Sequence, residues 1–252
     1  PGRMRHIAES SLSLLSEPHL ARLRTNGFQA ILPGIESWYD LGNKSKTRRT
    51  GMNKVEQVAE HVNLILRYIP YIQTNFVLGL DTDEGPEPFE LTKRFLDLAP
   101  GAFPAFSLLS AFGRAAPLNL EYQRAGRVVP FPFTFLNNNH AMNVRPRHYS
   151  WPAFYDRLVD LTRYAFSWRA IGRRLGATAG TIPKWMNVMR AMSSEGWGRI
   201  AYHTTIRRLL EQDPGVRGFM EGETDRLPPF YGDRIKRDLG PLFAHLPAGA
   251  IM

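Results

Sequence analysis

Phe28-Gln29-Ala30-Ile31-Leu32-Pro33-Gly34-Ile35-Glu36-Ser37 and Ile72-Gln73-Thr74-Asn75-Phe76-Val77-Leu78-Gly79-Leu80-Asp81 are two apolar, β-type runs that stop in the same way. Each ends at a glycine with a carboxylate two residues on. Between them, Val55, Val58, Ala59, Val62, Ile65 and Leu66 recur at helical spacing behind Asn53, which is placed to cap the helix. Strand, helix and strand in that order describe one unit of a β/α fold, in which chemistry gathers where strands end.

The pattern extends in both directions. Residues 5–10 read as the end of a further strand, polar for its type. Ser16-Glu17-Pro18 opens a helix with Leu20 and Leu23 on its apolar face, and Asn26-Gly27 stops it. Residues 86–98 read as a helix and 102–111 as a fourth strand, giving βαβαβαβ and hence parallel strands with helices outside them. Residues 112–149, with Pro117, Pro130, Pro132, Asn137-Asn138-Asn139 and Pro146, are expected to be irregular. Ser150 is an N-cap candidate for a helix over 151–175, and helices are expected over 183–191 and 200–211. From Asp213 onward Gly, Pro and charge predominate, so a loosely specified tail is expected. The expected division is 1–135 for the β/α part and 136–252 for a mostly helical region.

Composition narrows the classes. A chain of 252 residues with 43% hydrophobic content can build a substantial core. No stretch approaches the roughly 18–20 apolar residues of a membrane span, and no signal-type run follows the N-terminus, so a cytoplasmic protein is expected. The sequence opens Pro1-Gly2-Arg3 and is expected to begin inside a longer protein. With no cysteine it has neither disulfides nor thiolate metal sites. Of the net charge of +9, the larger part lies in residues 140–252, which hold 17 Lys+Arg against 10 Asp+Glu. Such an excess suits an anionic partner such as RNA. No RNA-binding motif accompanies it, so a solvated helical surface is the favoured reading.

Glu9, Glu36 and Asn75 fall at or near strand ends, which share one side of a parallel fold. Two carboxylates and an amide there could bind ligand hydroxyls and an amine, or act as an acid/base pair. The plainer alternative makes Glu36 a helix cap and Glu9 an exposed surface residue. The loop Gly79-Leu80-Asp81-Thr82-Asp83-Glu84-Gly85 lacks calcium-loop spacing and reads as a plain strand-to-helix turn. The basic run Lys44-Ser45-Lys46-Thr47-Arg48-Arg49 could neutralise a ligand carboxylate or phosphate, or could simply be solvated. His140 and His148 have no metal-ligand spacing, and no nucleophile elbow or phosphate loop occurs. Trp151, Phe154, Tyr155, Leu158, Leu161 and Phe166 read as core rather than as a stacking platform.

In their order and spacing these motifs resemble the radical S-adenosylmethionine (radical SAM) enzymes, in particular the group often preceded by a cobalamin-binding-type domain. The resemblance runs from about Arg5 to about Arg174. It matches residues 5–11 to the third strand of a six-stranded partial barrel, and the strand ending Gly34-Ile35-Glu36-Ser37 to the fourth. Asn75-Phe76-Val77-Leu78-Gly79-Leu80 matches the fifth strand and residues 106–111 the sixth, with Pro117-Leu118 and Gly126-Arg127 following at the usual spacing. The family's Pro-Gly-Glu turn after the fifth strand is replaced here by Asp81-Thr82-Asp83-Glu84.

The resemblance implies S-adenosylmethionine as cofactor. Glu9 would contact its methionine part, Glu36 and Asn75 the ribose hydroxyls with Ser37 in support, Arg48 (or Arg49) the methionine carboxylate, and Val77 and Leu78 the adenine. It also implies a [4Fe–4S] cluster, a reductant protein and an unknown small-molecule or peptide substrate for the intact enzyme, and leaves cobalamin use open. The cluster needs thiolate ligands, and this chain has none. The chain is therefore expected to be a C-terminal fragment, inactive alone, with an unpaired edge on its first strand and poor solution behaviour. Two alternatives stand beside this: a cofactor-independent, glycosidase-like acid/base enzyme with carboxylates about 5–10 Å apart, and a non-catalytic, Arg-rich RNA- or partner-binding module.

Overall fold

The computed structural model describes residues 4–39, 50–132 and 141–247. Strands β1 (His6–Ser11), β2 (Phe28–Glu36), β3 (Tyr71–Leu78) and β4 (Phe103–Leu108) form one sheet in the order β1-β2-β3-β4, with every neighbouring pair parallel. Helices α1 (Glu17–Thr25), α2 (Met52–Leu66) and α3 (Glu87–Leu98) make the crossovers that parallel pairing requires. The chain is thus α/β, as the alternation in the sequence predicts.

Side chains alternate across a strand, and the two faces of this sheet differ sharply. Ile31, Ile35, Ile72, Phe76, Phe106 and Leu108 are buried on the helix-covered face. Val55, Ala59, Val62 and Ile65 of α2 and Phe89, Phe95 and Leu96 of α3 contribute to the same core. Trp38, just past β2, packs 5.6 Å from both Phe76 and Phe95 and donates its indole N–H to Thr92 Oγ1 at 2.8 Å. On the opposite face Leu32, Gly34, Gln73, Asn75, Val77, Ala105 and Ser107 are only half-buried and Ile7 and Glu9 are exposed, while Ala30, Tyr71 and Phe103, toward the strand starts, are buried.

The two edges of the sheet also differ. Beyond β4, the carbonyls of Ala102 and Phe106 point away from β3 and accept from Arg174 Nε (3.2 Å) and from Arg199 Nη1. Between them Pro104 has no N–H to offer. Arg174 is 3% exposed, lies against the Phe103 and Phe166 rings, and also donates to Ala165 O at 3.0 Å. Burial pushes the Arg174 and Arg199 guanidinium pKa values down to about 10, so both stay charged at neutral pH. A proline and charged groups on an edge strand stop further pairing there.

The remaining helices are α4 (Pro117–Arg124), α5 (Trp151–Ala165), α6 (Trp168–Ala177), α7 (Thr181–Met192), α8 (Trp197–Gln212), α9 (Pro214–Glu221) and α10 (Pro229–Leu239). Three expectations change. The region expected to be irregular contains α4, with Pro117 in its first turn. The helix expected over 151–175 is two helices. Ser150 Oγ accepts from Ala153 N at 3.4 Å to start α5, and Ser167 Oγ accepts from Ala170 N at 3.2 Å to start α6. The tail expected to be loose is ordered: Asp213 caps α9, and Val216, Phe219, Met220 and Tyr231 are fully buried. Trp151, Phe154, Tyr155, Leu158, Leu161 and Phe166 are core, as expected. Among the described residues no helix is long and apolar enough to cross a membrane.

Candidate functional site

The register places three of the candidate residues, Glu9, Asn75 and Val77, on one surface. Glu9 is opposite Leu32, Ser11 opposite Gly34, and Gly34 opposite Asn75. These positions, with Gln73 and Val77, belong to the open face. After Gly34 the pairing slips, so that Glu36 stands opposite Phe76. A bulge of this kind re-aims side chains next to functional sites.

The slip is accompanied by a rare backbone state. Glu36 has φ 63°, the sole positive φ outside glycine among the described residues. For an L-residue this costs roughly 1–2 kcal/mol. The left-handed turn folds the carboxylate back over Gly34: a methyl group on Gly34 would stand 2.2 Å from Glu36 Oε1. Gly34 therefore provides the space the carboxylate occupies. Strain of this type, held in place by its surroundings, is characteristic of functional positions.

Beside it, Gln73 Nε2 donates to Asn75 Oδ1 at 2.6 Å. With its carbonyl oxygen engaged, Asn75 has its N–H2 to offer a ligand. Val77 adds a half-buried apolar surface on the same face. Glu9, Glu36 and Asn75 thus share the open face. Leu78 does not join them: it is 3% exposed, in the core on the helix-covered side.

Ser37 is 4% exposed, and its Oγ accepts from Tyr39 N at 3.1 Å, so it shapes the turn after β2. Lys54 Nζ donates to Ser37 O at 2.6 Å, and Tyr39 O–H donates to Glu87 Oε2 at 2.6 Å, which ties that turn to α2 and α3. Arg48, Arg49, Lys44, Lys46 and His140 lie outside the described residues.

The turn after β3 is built around Asp83, whose role the sequence reading missed. Asp83 is 3% exposed, and its Oδ2 accepts from Gly79 N (3.0 Å) and Leu80 N (3.1 Å). Burial pushes its pKa up to about 7; the two N–H bonds oppose that shift and nearby Asp81 adds to it. Gly79 has φ 86°, a conformation that favours glycine, and a methyl group on it would stand 2.6 Å from Met142 Cε and displace that side chain. Asp81 receives both Arg127 Nη groups at 2.7 Å, and Arg127 stacks 5.0 Å from the Tyr122 ring. Gln73 was also missed, although period-two alternation already places it on the face of Asn75. Among the described residues no group of three His, Asp or Glu side chains is placed to hold a metal.

The site is an acceptor-rich shelf, Glu9 and Glu36, next to an amide pair and an apolar patch. It can bind hydroxyl and ammonium groups attached to a flat apolar body. No protein-family model matches the chain, and no curated protein matches it. What fold and site define together is an α/β chain whose parallel sheet, among the described residues, leaves one face partly uncovered around Glu9, Gly34 and Asn75.

Proposed function

We propose that this chain is the C-terminal part of a radical S-adenosylmethionine enzyme and forms one side of its cofactor pocket. The observation that carries this reading is the Glu36 carboxylate held over Gly34 by a left-handed residue, on the same face as Asn75 of the adjacent strand. The sheet supports it too. β4 is closed at its outer edge and, among the described residues, β1 is not, as expected if β1 to β4 are strands three to six of a partial barrel and further strands join beside β1.

The residues fit S-adenosylmethionine. Glu36 would accept hydrogen bonds from the ribose hydroxyls and Asn75 would donate to them, while Glu9 would take the methionine ammonium. Val77 would lie against the adenine, with Leu78 behind it in the core. Ser37 would act through the turn that carries Glu36, and Arg48 would pair with the methionine carboxylate. Bound in the intact enzyme, the cofactor supplies radical initiation by its reductive cleavage. The residues do not fit a [4Fe–4S] cluster, since the chain has no thiolate, and no step of cluster chemistry is assigned to it. In this proposal the cluster ligands lie upstream, and an electron-donor protein serves the intact enzyme. Whether that enzyme also uses cobalamin depends on the upstream domain.

The test is the upstream reading frame. It is expected to encode a Cys-x-x-x-Cys-x-x-Cys run within about 200 residues, roughly one domain. An intact upstream frame without one overturns the proposal.

A further inference from the structure

We infer that the outer face of helix α7 docks on an anionic lipid surface, lying in the interface without crossing it. The inference stands apart from the cofactor reading and uses no residue of the Glu36 site.

An apolar stripe points to it first. Ile182, Trp185, Met189 and Met192 are 59%, 63%, 64% and 53% exposed. Their spacing of three, four and three keeps them on one side of the helix. The opposite side is fixed to the body of the protein. Asn187 and Ala191 are buried, and Arg190 lies 4.1 Å from the centre of the Phe103 ring and donates to the Tyr71 hydroxyl at 2.7 Å. The fold therefore holds the stripe outward. On the preceding helix, Trp168 is 73% exposed and packs edge-on against Trp197, with 4.8 Å between ring centres. Tryptophan, with an apolar body and a polar N–H, is enriched at the boundary between water and lipid.

Charge decides the kind of surface. Residues 161–194 contain six Lys and Arg and no Asp or Glu. Arg173, Arg174 and Arg190 are engaged inside the fold, on Asp97, on the Ala102 and Ala165 carbonyls and on Glu195. Arg163, Arg169 and Lys184 are exposed, and among the described residues they form no ion pair. Lys184 stands on the flank of the stripe, where a long side chain can lie along apolar surface and place its ammonium at lipid headgroups.

An exposed Trp, Met and Ile face, bordered by cations and clear of carboxylates, is what an interfacial helix requires. With 12 residues α7 is too short to span a bilayer. A second copy of this chain fits less well, because a self-complementary contact would bring the same cations together. Single-stranded RNA also fits less well, since Met and Ile offer bases no ring to stack on.

The experiment uses this chain and the product of the intact reading frame. The probes are unilamellar vesicles of phosphatidylcholine, alone or mixed with phosphatidylserine, and sedimentation reads the affinity. Each cation near an anionic surface contributes about 5-fold, so the mixed vesicles are expected to bind at least about 10-fold more tightly than the neutral ones. Added salt should weaken that preference. Bromine on the acyl chains should quench the tryptophan fluorescence, and less so in Trp185→Phe. Met189→Asp should weaken binding at least about 10-fold with the thermal midpoint held, the position being exposed. Lys184→Glu should weaken it chiefly on the mixed vesicles. Failure of either protein to bind the mixed vesicles overturns the inference. So does binding that salt abolishes but Met189→Asp leaves unchanged, with Trp185 unquenched, which is adsorption by charge alone. Trp185 shielded from a soluble quencher without lipid also overturns it, whether in a dimer, in the intact protein or with a single-stranded RNA oligonucleotide, because the stripe then has another occupant.

Discussion

The Glu36 carboxylate occupies the space that a side chain on Gly34 would fill: a methyl group there would stand 2.2 Å from Glu36 Oε1. This relationship gives the open face its acceptor, and it depends on the left-handed backbone of Glu36.

Two substitutions separate the strain from the function. Glu36→Gly relieves a left-handed cost of roughly 1–2 kcal/mol against a glycine entropy cost of about 0.5–1 kcal/mol. The net is a gain of up to about 1.5 kcal/mol, at about 2–4 °C in thermal midpoint per kcal/mol, measured by calorimetry. Gly34→Ala should change stability little, because the displaced atom is the end of a flexible side chain. It should nonetheless weaken cofactor binding in the intact protein, because the carboxylate must leave its place. A stability loss above about 2 kcal/mol for Gly34→Ala would show that the carboxylate cannot move.

Asp83 predicts a pH dependence with a definite sign. Its carboxyl is raised from 3.8 to about 7 in the fold. The folded state therefore holds this proton in a range where the unfolded chain has released it. The contribution of Asp83 to stability is full below about pH 4, falls as pH rises toward 7, and is constant above that. Asp83→Asn should remove this component, giving a shallower decline between pH 4 and 7 in denaturant titrations. Identical pH profiles for the two proteins would contradict it.

Arg174 closes the outer edge of β4. Arg174→Ala leaves the buried carbonyls of Ala102 and Ala165 without their donor, at about 1–3 kcal/mol each, and removes packing on Phe103 and Phe166. A loss of at least about 2 kcal/mol by chemical denaturation is expected, with self-association through the exposed edge visible in light scattering. A monomer of unchanged stability would show that the cap is dispensable.

The runs ending at Gly34 and Gly79 were legible because a short β-type run closed by glycine has few other readings. The bulge at Glu36 was not. Counting by twos places Glu36 on the face of Gly34, the observed pairing sets it opposite Phe76, and only the left-handed turn returns the carboxylate. Val77 and Leu78 were expected to flank one ligand, but adjacent strand residues face opposite sides, and Leu78 lies in the core. The tail looked loose because Gly and Pro dominate its composition. Pro214 and Pro229 instead stand in the first turns of α9 and α10, where proline starts helices rather than breaking them. Asp213 before Pro214 was an available cap signal.

The most direct test is the equilibrium binding of S-adenosylmethionine to the intact protein, wild type against Glu36→Gln and Asn75→Ala. A hydrogen bond to a charged group is worth about 1.5–3 kcal/mol, so Glu36→Gln should weaken binding by about 10- to 100-fold. Asn75→Ala should weaken it by up to about 10-fold, with the thermal midpoint of both variants held. Unchanged affinity in both variants would contradict the assignment of this face to the cofactor.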